Sequence, residues 1–269
     1  MTDSSSAADS KFRIDTSVPH SARVWNYFLG GKDYYPVDRA VGDQVMAMFP
    51  DITRIARAQR VFLGRAVRYL AGQAGIRQFL DIGTGLPTAN NTHQVAQAIA
   101  PESRVVYVDN DPLVLAHARA LLTSTPEGAC DYIDADLLDI GKILAGAVKT
   151  LDFTQPVALT LLGIVGQIPD SDQPESIIRQ LLDPLPSGSY LAFTDGVNTS
   201  ETLNVAIQHY NDNSANTYHL RSPEQITGFF EGLELVEPGI VPITRWRPEP
   251  TPFPDIEDVP SVCGVGRKP

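Results

Sequence analysis

The chain has 269 residues, of which 43% are apolar and 20% charged, so it can bury a sizeable core without staples and is not disordered throughout. Its formal net charge is −11 and no dense basic cluster offsets it, which excludes nucleic acid and anionic membranes as default partners. Two cysteines, Cys130 and Cys263, are too few for a disulfide framework. Both sit in apolar β-like runs, which predicts buried thiols and a cytoplasmic protein.

Met1 to Ser10 is small and polar, with no basic start and no apolar centre. It reads as a disordered tail and not a signal peptide. Residues 11–75 hold helical patterns and no strand. Val18 to Leu29 is predicted helical after Pro19, and an aromatic-rich turn, Gly30-Gly31-Lys32-Asp33-Tyr34-Tyr35-Pro36, follows. Asp51 to Ala71 is the best helix, with Ile55, Ala58, Phe62, Ala66 and Tyr69 at helical spacing. These residues predict an N-terminal helical cap laid over a second unit, residues 76–269.

In that second unit β-rich runs alternate with helical patterns. Gln78 to Ile82 is the first predicted strand, followed by a glycine turn and a helix over Thr92 to Ala100. Arg104 to Asp109 and Pro112 to Leu122 form the next pair, with proline in the first turn where its missing N–H costs nothing. Asp131 to Ala135, Val157 to Leu162 and Ser189 to Thr194 read as further strands, with a helix over Ser176 to Leu182. The longest apolar stretch, Val157 to Val165, is too short to span a bilayer. Repeated βα units argue for an α/β fold with a parallel sheet covered on both faces. Leu233 to Ile243 and Ser261 to Arg267 break the alternation and predict a terminal antiparallel hairpin. Its connection carries Pro248, Pro250, Pro252, Pro254 and Pro260, an extended loop suited to a lid, a partner surface or a plain connector.

Chemistry concentrates at the predicted strand ends, where open α/β sheets bind ligands. After the first strand come Asp81, Gly83 and Gly85, and two glycines at that spacing let the backbone turn sharply and approach a ligand. A dinucleotide site wants a third glycine for the pyrophosphate, but that position is Thr88, preceded by Pro87. Asp81 would repel a pyrophosphate, yet it suits a cationic ligand. S-adenosylmethionine carries an ammonium and a sulfonium and no phosphate. Asp109, with Asn110 beside it, ends the second strand, where a carboxylate can accept hydrogen bonds from ribose hydroxyls. Asp136 and Leu137 follow the third strand and could frame an adenine by hydrogen bond and apolar contact; helix capping is the plainer role for Asp136.

Several stretches resemble a family of S-adenosylmethionine-dependent methyltransferase-like proteins with the class I methyltransferase fold. They are SARVWNYFLGGKDYYPVDR (Ser21 to Arg39), RVFLGRAVRYLA (Arg60 to Ala71), GIRQFLDIGTGLPT (Gly75 to Thr88), RVVYVDNDPLVLAHARALL (Arg104 to Leu122) and GVGRKP (Gly264 to Pro269). The resemblance implies a Rossmann-like, seven-stranded sheet in order 3-2-1-4-5-7-6, with strand seven antiparallel. It implies that Asp81, Gly83 and Gly85 hold the methionine part, Asp109 and Asn110 the ribose, and Asp136 and Leu137 the adenine. Gly163 and Ile164, in the Leu162 to Val165 segment, would run under the cofactor. From the cap, Tyr27, Gly31 and Arg60 would close the site, with Arg60 facing the methionine carboxylate; core packing is the bland role for Tyr27, and a solvated face for Arg54 and Arg68.

Two departures stand out. Gly166-Gln167 stand where such proteins often carry histidine, and Thr194-Asp195 stand where Ser-His is expected. Asp195 is read first as a cap for a helix beginning near Ser200 and second as a replacement base. His93 and His117 fall within helical patterns, and no metal-ligand spacing or Ser-His-Asp arrangement appears. The leading reading is therefore a methyltransferase that passes a methyl group to a small-molecule acceptor by in-line displacement and releases S-adenosylhomocysteine. A non-catalytic S-adenosylmethionine-binding sensor or interaction module is the alternative, and an NAD-dependent oxidoreductase the third. Neither acceptor nor oligomeric state is legible.

Overall fold

A computed structural model describes residues 14–121, 123–214, 216–249 and 257–269. The predicted tail, Leu122 and part of the proline-rich connection lie outside these residues. Strand β1 (Gln78–Ile82) is buried along its whole length. Successive strand side chains point to opposite faces. Phe79 therefore enters one apolar core while Leu80 and Ile82 enter another. The same division runs through β2 (Arg104–Asp109), where Val105 and Tyr107 part from Val106 and Val108. It recurs in β4 (Ala158–Leu162) and β5 (Tyr190–Gly196), as expected of a parallel sheet with both faces covered.

With β3 (Ala129–Asp134), β6 (Glu234–Leu235) and β8 (Ser261–Arg267), the strands run in the order β3-β2-β1-β4-β5-β8-β6. The first five pair in parallel, and β8 lies antiparallel between β5 and β6. This is the expected α/β sheet, with the last strand inserted between β5 and β6, where strand seven of the expected order lies. The first arm of the predicted hairpin differs. Leu233 to Ile243 yields two short strands, β6 and β7 (Val241–Pro242), both paired with β8. Pro238 has no N–H to donate and Gly239 turns with φ +86°, so the ladder breaks between them.

Among the described residues three helices precede the sheet: α1 (Ser21–Phe28), α2 (Pro36–Met48) and α3 (Ile52–Gly72). Val24, Phe28, Val45, Ile55 and Phe62 from them join Phe79 and Val105 of the sheet in one continuous core. Helices α4 (Thr92–Ile99) and α8 (Glu201–Asn213) cover the same face. The opposite face is covered by α6 (Ile140–Ala147), α7 (Pro174–Leu182) and α9 (Pro223–Gly228), while α5 (Pro112–Leu121) follows β2. Trp246 anchors the start of the proline-rich connection. Fully buried, it meets the Phe62 ring edge-on at 5.4 Å.

A buried charge cluster docks α1 and α2 onto the sheet. Arg23 Nε lies 3.6 Å from both Asp38 and Asp111, and His20 Nδ1 lies 3.0 Å from Asp111. Arg23 also donates to the carbonyls of Asp15 and Val18, and Asp38 accepts from the His20 and Tyr35 backbone. Burial works to raise the Asp111 carboxyl, but the His20 hydrogen bond and charge and the Arg23 charge outweigh it and hold the group below its ordinary value. Removing one partner of such a cluster strands the others in a dry environment. Arg23→Ala is expected to destabilise the fold by about 3–5 kcal/mol, read by chemical denaturation.

Candidate active site

The cleft opens beyond the carboxyl ends of β1, β2 and β4, beneath α1 and α3. Its main cavity has a volume of about 150 Å³. It shares Gly83, Asp109, Asn110, Ile164 and Gln167 with a neighbouring cavity of about 120 Å³ that reaches Asp136 and Leu137.

Asp81 is the next-to-last residue of β1. Register places it beside Thr160 of β4, whose hydroxyl donates to Asp81 Oδ1 at 2.8 Å. The Thr92 hydroxyl, at the start of α4, donates to Oδ2 at 2.6 Å. Burial raises this carboxyl, against those two hydroxyls and the Arg60 charge. Gly83 and Gly85 turn with φ +73° and +62°, and the Gly83 N–H donates to the Val108 carbonyl. A Cβ on Gly83 would sit 2.5 Å from Ile164, so the turn admits only glycine at that point.

Asp109 is held from behind. Its Oδ2 accepts from Gly85 N at 2.8 Å and its Oδ1 from Asp111 N at 3.0 Å. Burial raises this carboxyl too, against the two N–H groups and the His20 charge. Asn110 donates to Asp136 Oδ2 at 2.8 Å, joining the ends of β2 and β3. Asp136 also accepts from Leu138 N, a turn bond; the neighbouring helix α6 is capped by Asp139 instead. Gly163, at φ +74°, leaves room for Gln59 of α3, whose Oε1 would lie 2.7 Å from a Cβ there.

Arg60 lines the cleft, but one of its terminal nitrogens grips the loop after the glycine turn, donating to the carbonyls of Ala89 at 3.1 Å and Asn90 at 3.2 Å. Tyr27 and Gly31 are not brought into the cleft. The Tyr27 hydroxyl donates to Asp43 and its ring packs on Tyr34 at 4.8 Å. Gly31 instead lets the chain pass close to Asn26, whose Oδ1 would lie 2.2 Å from an added Cβ. Trp25, two residues from Tyr27 and on a different side of α1, lines the cleft in its place.

The S-adenosyl methyltransferase family model matches residues 7–269. The chain belongs to that family. A DUF574 family protein from Streptomyces avermitilis is 48% identical, with 96% of this chain and 100% of that one aligned at a TM-score of 0.91. A proposed methyltransferase from Thermobifida fusca is 40% identical, covering 94% of this chain and 96% of that one at a TM-score of 0.86. Mitomycin 7-O-methyltransferase, at 14% identity and a TM-score of 0.51 over 98% of this chain and 76% of its own, shares the fold. No curated protein matches the chain in sequence.

The methyltransferase departs from its expected capping pattern at Asp195. Strand β5 runs on to Gly196, so Asp195 lies buried inside it, and Ser200 caps α8. Asp195 accepts from Gly166 N at 2.7 Å, from Gly196 N at 3.1 Å, and from the Tyr218 hydroxyl. Burial pushes its carboxyl up to about 7, against the Gly166 and Gly196 N–H groups and the Arg221 charge. His93 is a packing residue, bonded to Tyr107 through its ring and backbone.

Gln59, Trp25 and Tyr218 line the cleft without having been singled out in the sequence, and Gln167, noted there only as a departure from histidine, lines it too. Gln59 carried a signal: with Ile52, Ile55 and Leu63 it forms one helical stripe, and it alone is polar there. Its Nε2 is buried with no hydrogen-bond partner among the described residues.

In the native state Asp195 keeps its proton up to about pH 7, whereas an exposed carboxyl loses it near 3.8. Between those values the folded state binds more protons than the unfolded one, so stability falls as pH rises across that window. Carboxyl-carbon NMR on Asp195 is expected to show its midpoint near pH 7.

Proposed function

We propose that this methyltransferase binds S-adenosylmethionine across the joined cavities and transfers its methyl group to a small-molecule acceptor. The observation that carries the reading is Asp109: both oxygens are fixed by backbone N–H groups, one from the glycine turn itself, and the residue opens on the cleft. Each carboxylate oxygen has a second lone pair for a ribose hydroxyl. Asn110 and Gly85 flank the same position.

The remaining residues fit the cofactor's parts. Asp81, Gly83 and Gly85 suit the cationic methionine end, and Arg60 has donors enough to hold the loop and a carboxylate together. Asp136 and Leu137 border the neighbouring cavity, one exposed and one buried, as an adenine edge and face require. Gly163 and Ile164 form the floor. Gln59 lines this cleft, and its buried Nε2 has no hydrogen-bond partner among the described residues, so it still has a hydrogen bond to give. When bound, S-adenosylmethionine supplies a methyl group already activated by its sulfonium. The protein's share is alignment and exclusion of water, provided by the apolar walls of α1 and α3. Both cysteines are free thiols, as a cytoplasmic setting allows. Among the described residues no helix is long and apolar enough to cross a membrane.

Titration calorimetry with S-adenosylmethionine, S-adenosylhomocysteine and NAD tests the reading. Both sulfur nucleosides are expected to bind, and NAD not to. Asp109→Ala removes the ribose contact and frees the Gly85 N–H, so affinity is expected to fall at least about tenfold. Tight NAD binding would refute the proposal. Binding without methyl transfer to any component of a metabolite extract would favour a sensor.

A further inference from the structure

The cleft is electrostatically divided. Among the described lining residues, the charged side chains are Arg60, Asp81 and Asp109, and all three lie at the end formed by β1 and β2. The other end is walled by Trp25 and Phe28 of α1, Ile55 of α3, and Leu203, Ile207 and Tyr210 of α8. An ion placed there would lose its hydration with no charged lining residue to repay it, since Asp195, the nearest carboxylate, lies behind Tyr218 with its oxygens already taking three hydrogen bonds.

Tyr218 is the polar residue at this end that is tied to a buried carboxyl. Tyr218 lines the cleft, and its hydroxyl donates a hydrogen bond to Asp195. The space for its ring comes from Gly166, since a Cβ there would sit 2.4 Å from the ring. Gly166 also fixes Asp195 through its N–H at 2.7 Å, so both partners are oriented by one residue. With its proton committed, the Tyr218 oxygen offers lone pairs. The Gly196 N–H reaches it only at 3.5 Å. An oxygen in that state selects a donor.

We propose that the apolar end binds an uncharged, largely apolar methyl acceptor whose hydroxyl or N–H group donates a hydrogen bond to Tyr218. This rests on the cofactor occupying the charged end. Tyr218 is then a specificity residue that presents the acceptor's nucleophilic atom, and Asp195 positions Tyr218.

The test is calorimetry at pH 8, with the protein first titrated with S-adenosylhomocysteine alone and then, in its presence, with four bicyclic probes. These are 2-naphthol, naphthalene, 2-naphthoate and 2-naphthylmethylammonium. Binding of 2-naphthol is expected to be about tenfold tighter than that of naphthalene, and at least about tenfold tighter than that of either ion. Tyr218→Phe should bring 2-naphthol to the affinity of naphthalene while leaving S-adenosylhomocysteine and naphthalene unchanged. Trp25→Ala, on the opposite wall, should weaken both neutral probes about tenfold. No binding of 2-naphthol, equal affinity for either ion, or unchanged affinity in Tyr218→Phe overturns the assignment. If S-adenosylhomocysteine fails while 2-naphthol binds as expected without it, the cofactor reading falls and the acceptor end stands.

Discussion

Asp111 connects two parts of the molecule that the chain writes far apart. Its carboxylate takes His20 and Arg23 from the first helical segment, and its backbone N–H holds Asp109 in place. The helices over the cleft and the carboxylate inside it are thus oriented by one residue. The arrangement asks for burial of Arg23, Asp38 and Asp111 together, which is tolerable because each has at least one charged neighbour. The position of α1, and with it the wall made by Trp25 and Phe28, depends on that cluster remaining intact.

Much of the sheet was legible because its signal is local. Strands buried on both faces read as short apolar runs, and Gly83 and Gly85 mark a sharp turn, with no room for a Cβ at Gly83. Asp81, Asp109 and Asp136 could be placed beside the cavities for the same reason, since each sits at or just beyond the end of a strand. The rest was hidden by distance along the chain. Tyr218 meets Asp195 and Gly166 only in the folded state, and no spacing announces the meeting. Tyr27 was named from the family resemblance alone, and an eight-residue helix gives too short a pattern to show that Trp25 lines the cleft instead. Asp195 was read as a cap because β5 was expected to stop at Thr194, two residues before its actual end.

The two ends of the cleft also differ in how they are built. The charged end is made from strand termini and backbone N–H groups, which the sheet holds rigidly. The apolar end is made from side chains on α1, α3 and α8 and the 217–220 segment. Such surfaces accept substitution of one apolar residue for another with modest cost, while the strand termini do not. One end can therefore stay constant while the other is reshaped.

The place of β8 carries a consequence for how the chain matures. It is the last strand in sequence, yet it sits between β5 and β6 and pairs with β5 along seven residues. Until it arrives, the hydrogen-bonding edge of β5 has no partner along those seven residues. An unsealed edge of that length is a template for pairing between separate chains. During synthesis the growing polypeptide passes through a stage in which most of the sheet exists and its sticky margin has no cover. Self-association is a hazard of that stage, and the finished fold removes it.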